Sequence, residues 1–393
     1  MPSRDKENQR TIGLFNDSYP PIMDGVSLTV QNYAKWLSKK DVPVCVIAPR
    51  FPNFIDHEPF PVYRYTSIPL LGRKPYRFGL PKTDMDLRNE LKNISFGLVH
   101  AHCPFSSGSI ALKLAKQNQI PLVATFHSKY RDDFEHSVRN KCIAKLMTNQ
   151  VIKFFEKADE VWIPQASVEE TIREYGFKGK VEIVDNGNDF ASNNPIEPIK
   201  KEAKKQLNID NDTFVFLFVG QHIWEKNTRL IVESLEKIKD LNFNMIFIGT
   251  GYAKNELEKL VNDYGLSSKV QFKGVINDRN QLKQYYAVAD LFLFPSIYDN
   301  APLVIREAAA MQTPSVLLRD TSSAENVIDY FNGFLTENSV ESFSSKLREL
   351  LSAPIKIKIA GENAANSLAR SWESVAEEVH DRYQKLMTRK WNK

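Results

Sequence analysis

Short apolar runs with the length of buried strands alternate with amphipathic helical patterns along almost the whole chain. One series extends from the run at 11–16 to the run at 180–184, and a second from 214–219 to 314–318. The runs are continuously apolar, which is typical of parallel strands covered by helices on both faces. Two such series predict an α/β fold with two doubly wound, Rossmann-like sheets.

The alternation stops once, at 191–199 (ASNNPIEPI), where turn-forming residues replace any periodic pattern. Such a segment is typical of a linker between domains. We therefore expect a first domain over 1–192 and a second over 193–370, and a length of 393 residues agrees with two domains. Ligands of open α/β sheets bind beyond the carboxyl ends of the strands, so two facing sheets would hold a ligand between them.

The last helical pattern, at 371–388, has a single apolar face. That face is formed by Trp372, Val375, Val379, Tyr383 and Leu386. An apolar stripe of this length requires a partner surface, and we expect the C-terminal helix within 371–393 to pack back on the first domain.

Cysteine content and hydropathy indicate the compartment. Cys45, Cys103 and Cys142 are far apart and odd in number, so they predict no disulfide framework and favour a reducing, cytoplasmic location. No run of about 18 apolar residues predicts a membrane span. The polar start at 1–10 lacks the apolar core of a signal peptide and is expected to be a frayed leader.

The net charge of +4 falls entirely in the first half of the chain, where residues 1–190 hold 26 Lys and Arg against 22 Asp and Glu. No basic stripe accompanies a nucleic-acid-binding motif, so nucleic acid is not expected as a partner. The segment 64–82 has five cations, three aromatic residues and no acid, and the helical pattern at 138–157 adds further lysines. Both features suit peripheral attachment to an anionic membrane surface on its inner face. The alternative is that the apolar side of 138–157 belongs to the domain core and its cations are solvated.

Two loops after predicted strands could approach an anion. In the first, 16–26, Gly25 precedes a helix, whose N-terminus favours negative charge; an ordinary capped turn is the alternative. In the second, Gly220 follows the strand FVFLFV and precedes Lys226, which suits a phosphate. Gly249-Thr250-Gly251 has Lys254 where a dinucleotide fingerprint needs its third glycine, so a nicotinamide dehydrogenase is disfavoured.

The most specific pattern is PSIYDNAPLVIREA, which places Asp299 in a loop after a strand and Glu307 in the following helix. Two carboxylates at different depths can accept hydrogen bonds from the hydroxyls of a sugar and of a ribose. The alternative is an exposed loop aspartate and a helix-surface glutamate. The strings at 84–86 and 210–212 have the Asp-x-Asp form of some metal sites, but we interpret both as solvated charges.

Several motifs, in order, resemble those of the retaining GT-B glycosyltransferases of family four, and the resemblance covers nearly the whole chain. The motifs are PPIMDGV at 20–26, HAHCPFSSG at 100–108, PLVATFHSKY at 121–130, VDNGNDF at 184–190, GQHIWEKN at 220–227 and PSIYDNAPLVIREA at 295–308. Members that glycosylate diacylglycerol or related lipids look most similar, in the opening NDSYPPIMDGV and in TFHSKY. The resemblance implies a GT-B fold of two Rossmann-like domains facing across a cleft.

The same resemblance implies a hexosyltransferase that uses a UDP-sugar such as UDP-glucose, or GDP-mannose, and transfers to a lipid or glycan hydroxyl. His127, Asp299 and Lys226 are expected to be catalytic, and neither a metal nor a cofactor is implied. Glu307 would take the ribose hydroxyls, Lys226 the diphosphate, and the segment 272–276 would flank the base. The donor-binding set is Gly25, Gly220, Gln221, Lys226, Gly251, Gly274, Asp299, Asn300, Ala301, Pro302, Leu303, Val304 and Glu307. The acceptor side comprises Asp24, His102, Tyr130 and Arg131.

The sequence departs from the family pattern at functional positions. Gln221 stands where the family has an arginine, so one diphosphate cation is missing at its usual place, unless His222 or another cation compensates. Asp299 replaces a glutamate and shortens the reach by one methylene. These changes keep open a non-catalytic nucleotide-sugar-binding subunit, and another GT-B enzyme, an epimerase or a phosphorylase, is the remaining alternative.

Overall fold

The computed structural model describes residues 10–70, 75–138, 140–191, 195–210 and 213–391. Residues 1–9 of the expected leader at 1–10 therefore lie outside the described residues. Contacts between Cα atoms divide the chain into two units: unit 1 runs to Asn186 and resumes at Trp372, and unit 2 is Gly187–Ser371.

Unit 2 starts six residues before the position expected from the linker composition. The side chain of Asn188 accepts hydrogen bonds from the backbone N–H groups of Phe190 and Ala191, at 3.0 and 2.7 Å. The ring of Phe190 packs on Tyr286 in the core of unit 2. These contacts attach the first part of the expected linker to unit 2. Helix formation begins at Ile196, and residues 192–194 lie outside the described chain.

Unit 1 is built on a seven-stranded parallel sheet with the order β3-β2-β1-β6-β7-β8-β9. The order reverses between β1 and β6, which makes this the switch point where ligands of doubly wound sheets bind. A short antiparallel pair, β4 and β5, stands apart from that sheet. The strands are β1 (Thr11–Phe15), β2 (Val44–Pro49), β3 (Val62–Tyr65), β4 (Ser67–Pro69), β5 (Arg77–Gly79), β6 (Phe96–Ala101), β7 (Leu122–Thr125), β8 (Glu160–Ile163) and β9 (Val181–Ile183).

The connections of unit 1 carry helices α1 (Gly25–Lys39), α2 (Met85–Lys92), α3 (Ser106–Asn118), α4 (Tyr130–Val138), α5 (Lys141–Phe155) and α6 (Ser167–Glu174). The sequence pattern over 135–157 predicts one long helix, but the structure has two helices there, α4 and α5, so this prediction is wrong. Asn140 lies in extended backbone geometry, and its side chain accepts hydrogen bonds from Cys142 and Ile143 as the N-cap of α5. An asparagine in this position starts a new helix, because it satisfies N–H groups that lack a partner in the first turn.

Unit 2 contains a six-stranded parallel sheet with the order β12-β11-β10-β13-β14-β15, which reverses between β10 and β13. Its strands are β10 (Phe214–Val219), β11 (Phe243–Ile248), β12 (Val270–Phe272), β13 (Leu291–Leu293), β14 (Ser315–Leu318) and β15 (Phe334–Thr336). Its helices are α7 (Ile196–Gln206), α8 (Thr228–Glu236), α9 (Lys254–Asp263), α10 (Arg279–Val288), α11 (Leu303–Ala310), α12 (Val340–Leu351) and α13 (Pro354–Leu368). The predicted α/β fold with two doubly wound parallel sheets is confirmed.

The final helix, α14 (Trp372–Trp391), returns to unit 1. All five residues of its predicted apolar face are buried. The ring of Tyr383 stacks on Trp162 at 5.5 Å, and its hydroxyl lies 2.6 Å from Nδ1 of His100 on β6. The helix thereby completes the core beside β6 and β8. Among the described residues, every helix is too short or too polar to cross a bilayer.

Candidate functional site

The switch point of unit 2 brings together two side chains that are 73 positions apart in sequence. Lys226 ends a short turn after β10, and Asp299 lies in the loop after the neighbouring strand β13. Lys226 Nζ donates hydrogen bonds to both carboxylate oxygens of Asp299, at 2.7 and 2.8 Å, and it also lies 5.0 Å from the centre of the Phe294 ring. Ser296 Oγ donates a further bond to Asp299. Both charged side chains remain partly accessible, at 12% and 19% of their surface.

Glu307 lies in α11 and is almost completely buried, so its interpretation as a helix-surface residue is excluded. Arg279 Nη2 donates to its Oε1 at 2.6 Å, and the Tyr286 hydroxyl donates to its Oε2 at 2.8 Å. Arg279 also forms a two-bond contact with Asp189, and its guanidinium lies over the ring of Phe190. The carboxylate predicted to bind ribose is therefore held in a fixed position by a buried network.

Electrostatics agrees with this network. Burial alone would lower the pKa of Arg279, but the carboxylates of Glu307 and Asp189 raise it above its ordinary value. Burial and the nearby Glu307 raise the pKa of Tyr286, so its hydroxyl stays a hydrogen-bond donor. Sequence reasoning missed Arg279 and Tyr286. Both lie in α10, and nothing in their local pattern distinguishes them from core or surface residues of that helix.

The start of α11, which follows Asp299 closely in the sequence, offers backbone donors. Pro302 occupies the cap position, and no side chain caps the helix. Asn300 and Leu303 are buried, whereas Ala301, Pro302 and Val304 are half-buried. Uncapped N–H groups at a helix start bind phosphate oxygens favourably.

The glycines of the neighbouring loops permit close backbone contacts. A Cβ atom at Gly249 would lie 2.0 Å from the carbonyl oxygen of Gly220, and one at Gly251 would lie 2.3 Å from that of His222. Gly274 has a left-handed φ of +68° and accepts a hydrogen bond from Gly249 N–H at 2.7 Å. Glycine is thus required for packing of the loops after β10 and β11. These loops form the sheet edge at which Gly220 and Gly251 were predicted to meet the donor.

His222 cannot supply the charge missing at Gln221. Its ring is fully buried against Phe218, Phe247 and Phe272, and neither ring nitrogen has a hydrogen-bond partner among the described residues. Burial, together with the positive charge of Lys254, lowers the pKa of His222 to about 4. The imidazole is therefore neutral at pH 7, and of the two alternatives left open by the sequence, a cation other than His222 remains. Gln221 itself is exposed.

In unit 1, His127 follows β7 and meets His102, which follows the adjacent strand β6. His102 Nδ1 lies 3.1 Å from His127 Nε2, and the two rings stack at 5.3 Å. His100 is held by Tyr383 and by Thr125, and has a structural role. Burial lowers the pKa of His127 to about 3 and that of His102 well below its usual range, so both imidazoles are neutral at pH 7.

Three residues predicted on the acceptor side have partners within unit 1. Asp24 is the N-cap of α1 and accepts a bond from Ser27 N–H at 2.8 Å, so the protein itself supplies an anion at the helix start that Gly25 opens. Tyr130 is 5% exposed, and its ring packs in the aromatic core. Arg131 stacks on Tyr175 and donates to a carbonyl oxygen of α6. Their predicted contacts with an acceptor stay predictions.

Asp84, in the first Asp-x-Asp string, is not the solvated charge that we expected. Asp84 is buried, caps α2 and accepts bonds from Thr66 N–H and Oγ1, both at 2.8 Å. Burial would raise its pKa, but the hydrogen bonds from Leu87 and Thr66 lower it overall. Residues 211–212 of the second string lie outside the described chain. Within the described chain, no three His, Cys, Asp or Glu side chains are grouped so that they could hold a metal ion.

Helix α5 exposes apolar side chains over its first two turns. Ile143, Leu146 and Met147 are exposed by 47%, 65% and 36%, next to the exposed Lys141 and Lys145. Farther along α5 the apolar residues are buried, so the interpretation of this face as domain core is correct only for its second half.

The basic segment before α2 is only partly available to a ligand. Arg64 forms an ion pair with Asp56 at 2.6 Å and donates to two carbonyl oxygens, so it is engaged within the protein. Arg77 donates to Ser67, whereas Phe78 is 50% exposed. Arg73 and Lys74 lie outside the described residues.

Two family models match the chain in succession. Residues 23–191 match the model of "Glycosyltransferase Family 4", and residues 199–367 match that of "Glycosyl transferases group 1". The first match falls mainly in unit 1 and the second within unit 2.

Curated relatives and solved structures agree with these matches. The chain is 27% identical over 363 residues to the α-monoglucosyldiacylglycerol synthase of Acholeplasma laidlawii, covering 88% of both proteins. It is 23% identical over 312 residues to the enzyme of the same name from Streptococcus pneumoniae, covering 78% of this chain and 70% of the relative.

Among solved structures, sucrose-phosphate synthase from Thermosynechococcus elongatus superposes with a TM-score of 0.80 at 20% identity, over 96% of this chain and 99% of that one. The Anabaena protein HepE in complex with UDP and glucose superposes with a TM-score of 0.76 at 18% identity, over 96% and 100%. Likeness at this level of identity concerns the fold.

Proposed function

Because this chain belongs to the GT-B glycosyltransferases of family four, we propose that it moves a hexose from a nucleotide diphosphate sugar to an acceptor hydroxyl, with retention at the anomeric carbon. We favour a UDP-sugar as donor, with GDP-mannose as the alternative. The observation that carries the proposal is the meeting of Lys226 and Asp299 beside the uncapped start of α11, with buried Glu307 in the same helix.

Each group has a chemical task in this proposal. Lys226 neutralises the diphosphate, Asp299 accepts hydrogen bonds from sugar hydroxyls, and Glu307 accepts them from the ribose. In the ligand-free chain the two charges of Lys226 and Asp299 satisfy each other, so the bound donor shares or replaces their contact. The helix start adds backbone donors that are oriented before the donor arrives.

The leaving nucleoside diphosphate gains negative charge as the glycosidic bond breaks. We propose that the ammonium of Lys226 and the N–H groups at the start of α11 stabilise that charge, and that the reaction requires no metal ion or cofactor. Groups fixed by folding stabilise a transition state without a cost for reorganisation at the moment of reaction.

For the acceptor, we propose a lipid or a membrane glycan precursor. Support comes from two relatives named α-monoglucosyldiacylglycerol synthase and from the exposed apolar and basic start of α5. His127, at the carboxyl end of β7, is proposed to contact the sugar or the acceptor in the transition state.

Binding of the donor can be tested by thermal unfolding of the full chain with UDP, GDP, ADP and their sugars. We expect one nucleotide to raise the melting temperature by about 5 °C at 100 times its Kd, because binding at that concentration stabilises the native state by about 2.7 kcal/mol. The Glu307→Gln variant should lose most of this shift. Glu362→Gln, an exposed position on α13, is the matched control.

The response of that panel separates the alternatives. If no nucleotide shifts the melting temperature, donor binding is refuted. If one does but no acceptor is glycosylated, the non-catalytic binding subunit is favoured, since the exposed Gln221 and the neutral His222 supply no second cation. Sugar-nucleotide turnover without acceptor would favour an epimerase, and a requirement for free phosphate would favour a phosphorylase.

We further propose that the start of α5 attaches the protein peripherally to an anionic membrane surface. Ile143, Leu146 and Met147 would enter the interface, and Lys141 and Lys145 would meet anionic headgroups. Burying one large aliphatic side chain contributes about 1.5–3 kcal/mol, and each lysine near the surface about 1 kcal/mol.

Flotation with phosphatidylglycerol vesicles at low salt tests this attachment. Leu146→Asp should reduce the vesicle-bound fraction at least about tenfold, because it removes apolar burial and adds a repelled charge. Ile355→Asp, at a position in α13 with a similar exposure of 63%, is the control and should bind as the wild type does. Absence of wild-type binding would remove the membrane proposal, and full binding of Leu146→Asp would remove α5 from it.

A further inference from the structure

The hydrogen bond between His102 and His127 has one donor and one acceptor, and the surroundings of the two rings indicate which is which. His102 Nδ1 and His127 Nε2 are 3.1 Å apart, which is the distance of a hydrogen bond. Since burial keeps both imidazoles neutral, each ring carries a single N–H, and one ring must donate while the other accepts. Which ring donates determines where His127 carries its own proton.

The environment of His102 decides between the two arrangements. Its Nε2 is buried and has no hydrogen-bond partner among the described residues. A buried N–H without an acceptor is rarer and more costly than a buried lone pair without a donor. His102 therefore carries its proton on Nδ1 and donates it to His127, and the lone pair on Nε2 is the atom left unsatisfied.

The ring of His102 is also held in its orientation by its neighbours. Its ring is 1% exposed, lies 4.0 Å from the ring of His100 and meets the edge of Tyr33 at 5.6 Å. Its backbone N–H donates to the carbonyl oxygen of Phe15 at 2.8 Å. His100 is itself fixed through both ring nitrogens by Tyr383 and Thr125. The donor directed at His127 thus belongs to a rigid part of unit 1.

We infer that His102 is a positioning residue, which holds His127 with its proton on Nδ1, so that His127 acts as a hydrogen-bond donor and not as a general base. The lone pair of His127 Nε2 is occupied by the bond from His102 and cannot accept a proton from an acceptor hydroxyl. The inference rests on the proposed function for its catalytic meaning, but the tautomer itself does not depend on transfer.

The tautomer can be measured on the full chain labelled with ¹⁵N-histidine, without substrate. The chain has only seven histidines, so His127→Gln identifies the signals of residue 127. We expect Nδ1 to have the chemical shift of a protonated nitrogen and Nε2 that of a hydrogen-bonded acceptor. A proton found on Nε2 of His127 in the wild type would overturn the inference, and this measurement requires no variant of His102.

Two substitutions then test the positioning role. His102→Phe keeps an aromatic ring but removes the donor, and His102→Asn places an amide N–H near the position of Nδ1. We expect His102→Phe to convert His127 to a mixture of tautomers and to lower kcat at least about tenfold with little change in KM, and His102→Asn to recover most of both. A wild-type tautomer of His127 in a folded His102→Phe would contradict the assignment. If no donor supports transfer, the proposed function fails, whereas the ¹⁵N signals still decide the role of His102.

Discussion

Replacement of Lys226 by methionine is expected to lower kcat/KM for hexosyl transfer by about 10³. Methionine keeps most of the length of the side chain but removes the charge that stabilises the leaving diphosphate, and the loss of one such preorganised donor costs a factor of about 10²–10³. We expect a loss near the upper end of this range, because hydrogen bonds from a charged donor are about twice as strong as those from a neutral donor. Lys226→Met also leaves Asp299 without its counterion, at 19% exposure.

Steady-state kinetics with the nucleotide sugar identified by thermal unfolding measures this effect. Lys259→Met, an exposed position on α9, is the control and should retain full activity. A kcat/KM for Lys226→Met within threefold of the wild type would show that the lysine does not contribute to the leaving-group charge, and would leave the α11 start as its main stabiliser.

Arg279→Gln is expected to destabilise unit 2 by about 3–5 kcal/mol, the range for breaking a buried ion pair at one partner. Without the guanidinium, the carboxylates of Glu307 and Asp189 lose their common cation, and Glu307 has only 4% of its side chain exposed. Urea unfolding of the full chain, followed at the transition of unit 2, measures the loss. Nucleotide affinity should fall in parallel, because Glu307 loses the partner that fixes its Oε1.

A double-mutant cycle separates the ion pair from simple packing. If the charges are coupled, Arg279→Gln combined with Glu307→Gln will be less destabilising than the sum of the single changes. Arg348→Gln breaks a solvent-exposed contact with Asp240 and should leave the unfolding curve unchanged. Strict additivity at Arg279 and Glu307 would contradict the buried network.

The fold could be predicted from the sequence because its signal is local. Continuous apolar runs such as Phe214–Val219 identify buried parallel strands, and the repeated strand–helix order permits few other topologies. The same order explains why Lys226 and Asp299 meet: each follows a strand end, and the ends of neighbouring parallel strands lie at one edge. The break at Asn140 was missed, because the apolar positions on both sides of it fit one helical pattern.

The rest of the site depends on packing between elements that no local pattern specifies. Arg279 meets Glu307 only because α10 and α11 lie side by side, and the sequence gives no sign that this arginine points inward. From the sequence alone, His222 could serve as an additional cation. In the structure its ring contacts Phe218, Phe247 and Phe272, which belong to three different strands. Tyr130 likewise occupies a family motif position, but its ring is buried in the core.

The path of the chain through the two units fixes the order in which they can be completed during synthesis. Unit 2 is continuous from Gly187 to Ser371, whereas α14 of unit 1 is synthesised only after the whole of unit 2. Until then His100 has no hydroxyl for its Nδ1, and the face of Trp162 that Tyr383 covers is open to water. The first part of unit 1 is therefore completed only after all of unit 2 has been synthesised.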